Sequence, residues 1–197
     1  MKKLRNPKPE KYLELKKFVC SEDFPWYINN CVVEQKPEGV ERPNWSYSHA
    51  IMNRPENNHY TFSETLRAKE FVDAVSEIMD YNGYINYFFL RMAVNSTHPI
   101  PEEKRTIGWF HSDHDFNHHN LIIYLTPTDG GTYIQDTPYH PEVDDVITFQ
   151  GIHANQFPTK GRRVVLVATY MLMETDKSWR NECVEIKIKY ENEFINH

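Results

Sequence analysis

Glycine is scarce in this chain, at seven of 197 residues, so any glycine pair carries more information than usual. Cysteine is scarcer still. Cys20, Cys31 and Cys183 are odd in number and widely spaced, which excludes a disulfide framework and zinc-like cysteine pairs. Reduced thiols in a cytoplasmic protein are the plain expectation. Long apolar runs are missing. Stretches such as Val164 to Ala168 are far too short to span a bilayer. The basic N-terminus, MKKLRNPKPEKYLELKKF, lacks the apolar segment of a secretory signal. Positive charge is not in excess either: the net charge is −6 and the pI about 5.9, so neither nucleic acid nor an anionic membrane is an expected partner.

What remains fits a soluble globular chain, 40% hydrophobic and 25% charged. Aromatics reach 14%, so Phe, Tyr and Trp should fill much of the core. The length suits one domain over residues 1–197, with a core at about 84–190 and an N-terminal helical or irregular flank at 1–83. Ten histidines are many, and six of them fall between His111 and His153.

Lys11 to Val19 offers a short helix with Tyr12, Leu13, Leu15 and Phe18 as apolar candidates. Pro37 to Pro55 reads as loop or irregular structure. Thr61 and Glu64 form a capping-box pattern. Behind it Ala68, Phe71, Val72, Val75, Ile78 and Met79 recur at helical spacing, up to a stop at Asn82-Gly83. Strands are then expected at Tyr84–Ala93, Trp109–Asp113, Leu121–Leu125, Thr132–Ile134, Val146–Phe149, Val164–Leu172 and Val184–Tyr190. Turn clusters at 127–130, Thr137-Pro138 and 159–161 separate some of them. The pattern is that of a sandwich or barrel with helices packed outside.

Chemistry is concentrated in His111-Ser112-Asp113. On an extended strand, residues two apart share a face, so one imidazole and one carboxylate can meet one ion. A third ligand from elsewhere would complete a facial triad with open positions, which suits non-haem Fe(II). Chance alone supplies about half of one H-x-D in a chain of this composition, so the pair by itself is weak. The stretch from His153 to Arg163 adds a histidine and, through a turn at Lys160-Gly161, a guanidinium brought back beside it. That arginine could clamp a carboxylate in bidentate fashion.

Together HSD, the Tyr124-Leu125 pair, Gly130-Gly131-Thr132 and a histidine followed by glycine eight and arginine ten residues later resemble the prolyl-hydroxylase-like branch of the 2-oxoglutarate/Fe(II) dioxygenases. The resemblance spans roughly residues 84–172. It implies a mostly β (α+β) fold, a double-stranded β-helix or jelly roll with flanking N-terminal helices. It implies an oxygenase that hydroxylates a small-molecule or peptide substrate. His111, Asp113 and His153 would hold Fe(II). Arg163, with Tyr124, would hold the distal carboxylate of the cosubstrate 2-oxoglutarate, and ascorbate would be an accessory reductant. Two positions depart from the pattern. Gly108 stands where relatives often carry tyrosine, and Pro158 falls one residue late. Trp109, two before His111, would line the pocket instead.

Other residues have competing readings. His114, His118 and His119 read as a solvated polar loop rather than as ligands. Asp115 and His140 are rivals to Asp113 and His153. Arg162 and Arg163 must point to opposite faces of a strand. Arg91, in YFFLRMAV, is either a pocket residue or a structurally paired arginine, and Tyr87 and Phe89 share its face by parity as core residues. A cupin-like metalloenzyme without 2-oxoglutarate, or a non-catalytic jelly roll, would also fit a jelly-roll fold.

Overall fold

The computed structural model describes residues 1–29, 46–54 and 67–173. Among the described residues two antiparallel sheets face one another. The larger has seven strands in the order β1-β8-β5-β10-β4-β3-β2, and the smaller has three in the order β7-β6-β9. In the larger sheet these are β1 (Lys2–Leu4), β2 (Tyr27–Asn29), β3 (Ser46–Met52), β4 (Tyr87–Thr97), β5 (His119–Tyr124), β8 (Val146–Gln150) and β10 (Arg163–Leu172). The smaller holds β6 (Thr132–Ile134), β7 (Thr137–Tyr139) and β9 (His153–Asn155). The fold is mostly β, a double-stranded β-helix flanked by two helices, α1 (Glu10–Val19) and α2 (Ala68–Tyr81).

The near-continuous apolar runs of β5 and β10 have a simple cause: both faces of these strands are covered. On one face Leu121, Ile123, Val164, Leu166 and Tyr170 pack on the helices. On the other, Ile122, Tyr124, Ile147, Phe149, Val165 and Val167 meet Ile134 of the small sheet. Helix α2 buries Phe71, Ala74, Val75, Ile78 and Met79, the expected stripe. Truncating Phe71 to alanine should cost about 3–5 kcal/mol through the cavity left. The helix stops where expected. Gly83 takes φ +83°, and the Tyr84 N–H closes back on Met79 O at 3.1 Å. In α1, Tyr12, Leu15 and Val19 are buried, whereas Leu13 is exposed.

Several expectations are corrected. Ser46–Met52, within the stretch read as loop, is a strand paired along β4; its Ala50 and Ile51 break the polar pattern too briefly to announce it. Thr137-Pro138, read as a turn, opens β7, an edge strand on which proline costs no ladder bond. Trp109–Asp113 is not a strand. It is extended chain joined to the small sheet through the isolated bridges Ile107–Gln156 and His111–His153. Tyr87 and Phe89 do pack against the helix-side core, but not on Arg91's face. A bulge, where β10 steps from Thr169 to Tyr170 while β4 steps from Arg91 to Phe89, reverses the parity. The Thr61/Glu64 cap and the Val184–Tyr190 strand lie outside the described residues. Among the described residues no helix is long and apolar enough to cross a membrane.

Candidate metal centre and carboxylate cradle

Between the sheets, His111, Asp113 and His153 bring one ligand atom each to within 4.8 Å of one another. Backbone pairing sets this. The His111 N–H donates to His153 O at 2.9 Å, and the His153 N–H donates to His111 O at 3.0 Å. The imidazoles consequently lie side by side, with ring centroids 4.5 Å apart. The two residues from His111 to Asp113 then carry the carboxylate to the same point. Asp113 is 3% exposed and His153 7%, while His111 is half-buried.

The hydrogen bonds leave the right atoms for an ion. His111 Nδ1 lies 2.9 Å from Trp109 O, which can only accept, so Nδ1 carries the hydrogen and Nε2 keeps its lone pair. Asp113 Oδ1 accepts from Arg91 Nη1 at 2.5 Å and from Arg54 Nη2 at 3.2 Å. Asp113 Oδ2 is buried without a partner, 3.6 Å from His153 Nε2. That gap is too long for a hydrogen bond and fits two atoms sharing one ion. Burial pushes the Asp113 carboxyl up, but the charges of Arg91, the two histidines and Arg54 outweigh it and bring it to about 2. Burial lowers His153 to about 4, against the pull of Asp113. At neutral pH the pair is an ionised carboxylate and a neutral imidazole, the forms that bind a metal. Two nitrogens and one oxygen are the donor set of a non-haem Fe(II) facial triad.

Arg163 enters the same inter-sheet space. It is 5% exposed; Nη2 donates to Thr132 Oγ1 at 3.0 Å and Nε is buried without a partner. Its guanidinium carbon lies 5.6 Å from the centre of the Tyr124 ring. The Tyr124 hydroxyl is 2.6 Å from the same Thr132 Oγ1. Arginine, tyrosine and threonine thus form a buried cationic cradle. Arg162 points the other way, with Nε donating to Ser96 Oγ at 2.7 Å and its guanidinium 4.5 Å from the Trp26 ring. The expected His153–Arg163 hairpin is not a ladder. β9 belongs to the small sheet and β10 to the large one, so this segment crosses between sheets, and the Arg163 charge still reaches His153.

The structure corrects the reading of the neighbouring histidines. His114 and His118 are 5% and 4% exposed, not solvated. His114 Nε2 meets Thr169 Oγ1 at 2.8 Å, and His118 Nδ1 donates to Phe116 O at 2.8 Å. His119 is half-buried and stacks on Tyr170, with centroids 5.0 Å apart. Asp115 and His140 are exposed and lie outside the triad. Trp109 is half-buried. Gly108 is there because a Cβ would stand 2.5 Å from Asn155 Oδ1 and 3.1 Å from Asn155 O, so no larger side chain fits without a shift.

Three participants escaped the sequence reading. Thr132 was legible only as the residue after the glycine pair. Arg54 carried no motif. Asn120, two residues before Ile122 on the cavity-facing side of β5, is fully buried with both amide atoms unpartnered. It pairs in register with Phe149, whose ring lies 5.2 Å from that of His153, and with Thr169.

No family model matches the chain, and no curated protein does. Solved structures do. A crystal structure of an oxidoreductase of the 2OG-Fe(II) oxygenase family from Burkholderia pseudomallei superposes with a TM-score of 0.58 at 15% identity, covering 80% of this chain and 77% of that one. The chain has the fold of a 2OG-Fe(II) oxygenase. A viral collagen prolyl hydroxylase from Paramecium Bursaria Chlorella virus-1 matches at a TM-score of 0.43 and 14% identity, over 66% of this chain and 80% of that one. A Pseudomonas putida prolyl-4-hydroxylase matches at 0.40 and 9%, over 66% and 74%. The 2OG-oxygenase fold brings its chemistry only where the site residues support it.

Proposed function

We propose that the chain is a 2-oxoglutarate- and Fe(II)-dependent oxygenase. In this reading His111 Nε2, Asp113 Oδ2 and a His153 ring nitrogen hold the iron, and Arg163, with Tyr124 and Thr132, holds the distal carboxylate of 2-oxoglutarate. The observation that carries it is the pairing of a His-Asp-His cluster, with Asp113 and His153 buried, with a buried, incompletely hydrogen-bonded arginine whose charge reaches His153. Either feature alone would fit a purely structural role. Together they answer a dication and a dicarboxylate.

Bound there, ferrous iron supplies dioxygen activation coupled to oxidative decarboxylation of the 2-oxo acid, giving succinate, carbon dioxide and an oxygenated substrate. The protein's own part is more limited. Arg91 and Arg54 fix Asp113 Oδ1 and keep the carboxylate ionised, leaving Oδ2 for the ion. The Trp109 carbonyl fixes the His111 tautomer. The Thr132 hydroxyl, shared by Arg163 and Tyr124, holds both in one orientation. Ile122, Val165, Val167 and Phe149 make the cavity wall apolar, which strengthens the Arg163–carboxylate attraction.

Succinate formation in the presence of Fe(II), 2-oxoglutarate and ascorbate tests the reading. Uncoupled turnover dependent on both Fe(II) and 2-oxoglutarate is expected. Absence of both succinate and 2-oxoglutarate binding would sink it.

A further inference from the structure

His119 stacks on Tyr170, which belongs to the helix-side core. Side chains alternate along an extended chain, so His118 and Asn120, on either side of it, face the small sheet instead. Both are buried, at 4% and 0% exposure. His118 Nδ1 donates to Phe116 O at 2.8 Å, which leaves the lone pair of the neutral ring on Nε2. Among the described residues that Nε2 and both amide atoms of Asn120 have no hydrogen-bond partner. Two more residues close the cluster. The His114 ring lies 4.7 Å from the His118 ring, and His114 Nε2 meets Thr169 Oγ1 at 2.8 Å. Thr169 in turn pairs in register with Asn120. The cluster borders the triad at two points. His114 follows Asp113 in the chain, and Phe149, the partner of Asn120 on β8, has its ring 5.2 Å from that of His153.

A cosubstrate held at the Arg163 end stops short of this cluster. Asn120 lies four residues along β5 from Tyr124, about 13 Å at the rise of a strand. The two carboxylate carbons of 2-oxoglutarate are only about 5 Å apart at ordinary C–C lengths. The unmet hydrogen bonds are therefore left for the other reactant. Their pattern is specific. Asn120 offers a donor and an acceptor on one edge, and His118 Nε2 adds a second acceptor. A carboxylate has no donor and an ammonium no acceptor, so each would leave buried groups unpaired. A trans peptide bond points its N–H and C=O in opposite directions. A primary carboxamide carries one acceptor and two N–H donors on one planar group, and so matches all three atoms.

We propose that the substrate carries a primary carboxamide and that Asn120 and His118 receive it, orienting the rest of the molecule toward the triad. Asn120 Nδ2 donates to the carboxamide oxygen, and Asn120 Oδ1 and His118 Nε2 accept from its N–H groups. This rests on the oxygenase reading for the position of the reacting centre, but not for the existence of the carboxamide site. The carboxamide belongs to a small molecule or to a glutamine or asparagine side chain in a peptide.

The test uses the full chain loaded with Mn(II) and N-oxalylglycine, which fill the metal and 2-oxo acid positions without turnover. The probes form two matched sets. Phenylacetamide is compared with phenylacetate and with its N,N-dimethyl amide. A pentapeptide of alanine with a central glutamine, capped at both ends, is compared with its glutamate counterpart. Relaxation of probe protons by Mn(II) reports both affinity and proximity. In at least one set the primary carboxamide should bind about tenfold or more tightly than its analogues, which leave buried acceptors unpaired. The responding set identifies the source. Asn120→Val and His118→Phe should each bring that preference toward unity, the second while keeping an aromatic ring in place. Lys69→Gln, whose side chain is 85% exposed on α2, should leave it unchanged. Thermal melts identify a variant that fails to fold, and the other then decides. Equal binding within both sets, or no binding by either carboxamide, overturns the proposal and assigns the unpartnered atoms to buried water. A preference that survives both variants overturns it as well. Mn(II) uptake is followed separately by water-proton relaxation. Failure to take up Mn(II) counts against the iron reading alone. The carboxamide preference is then measured calorimetrically on the metal-free chain, where its absence overturns the carboxamide site too.

Discussion

His111 and His153 exchange both backbone hydrogen bonds across one isolated bridge, at 2.9 and 3.0 Å. This bridge, rather than a continuous strand, places the two imidazoles side by side. Replacing His153 with alanine keeps the backbone bridge and removes one nitrogen. Replacing Asp113 with asparagine keeps the shape and removes the charge. Both variants should stay folded and lose Mn(II) affinity by more than the roughly 10- to 100-fold typical of outer-shell changes. Water-proton relaxation titrations read this directly. Unaltered affinity in both would remove the triad from consideration.

Arg163 predicts opposite signs for binding and stability. It is buried with Nε unpartnered, and burial depresses its pKa. Arg163→Met should reduce N-oxalylglycine affinity by roughly tenfold or more, the worth of a charged hydrogen bond. The ligand-free variant should melt no lower than the parent, because an incompletely compensated buried cation has gone. A lower melting temperature with unchanged affinity would assign Arg163 a purely structural role.

Asn120 should behave similarly for a neutral reason. Its amide is fully buried and makes no hydrogen bond, a state that costs about 1–3 kcal/mol. Asn120→Val should leave the unliganded protein equally or more stable in urea melts. Binding of N-oxalylglycine or substrate should weaken, since the amide sits on the cavity-facing side of β5 beside Phe149 and Thr169. Strong destabilisation would place a hidden polar partner against it.

The turn before β8 sets an acid limit on stability. Asp144 accepts from Tyr12 and Lys16 at 2.5 Å each and pairs with Lys8 at 2.9 Å, tying the N-terminal segment and α1 to the large sheet. Burial raises its pKa, but these partners outweigh it and hold it below the ordinary value of 3.8. The folded state therefore binds this proton less readily than the unfolded one. The stabilisation is fully present above 3.8 and is lost as pH falls below it. Asp144 has φ +71°, which asparagine tolerates, so Asp144→Asn isolates the charge. It should cost about 1–3 kcal/mol at pH 7 and markedly less near pH 3, read from urea midpoints. An equal cost at both pH values would mean the contacts act through shape alone.

Much of the site could be read along the chain because its signals are short in range. His111 and Asp113 are two residues apart, and the glycine–arginine pattern after His153 lies within ten. The apolar stripe of α2 and the saturated runs of β5 and β10 report burial directly. β3 was hidden because its partner, β4, lies far along the chain and supplies much of the reason for it to be a strand. The burial of His114 and His118 was hidden likewise, since polarity suggests solvent until Thr169 and the Phe116 carbonyl are seen to satisfy them.

The amino-acid sequence by itself determined which residues could hold an ion and an acid, because their identities and local spacing are covalent facts. Tertiary structure alone decided how the chain between His153 and Arg163 crosses from one sheet to the other. It also turned Arg163, the arginine that the resemblance selects, inward, and brought Arg54 and Arg91 together on Asp113. Those outcomes depend on which strands pair and where a bulge reverses the parity of β4, and both are settled by contacts between residues distant in the chain.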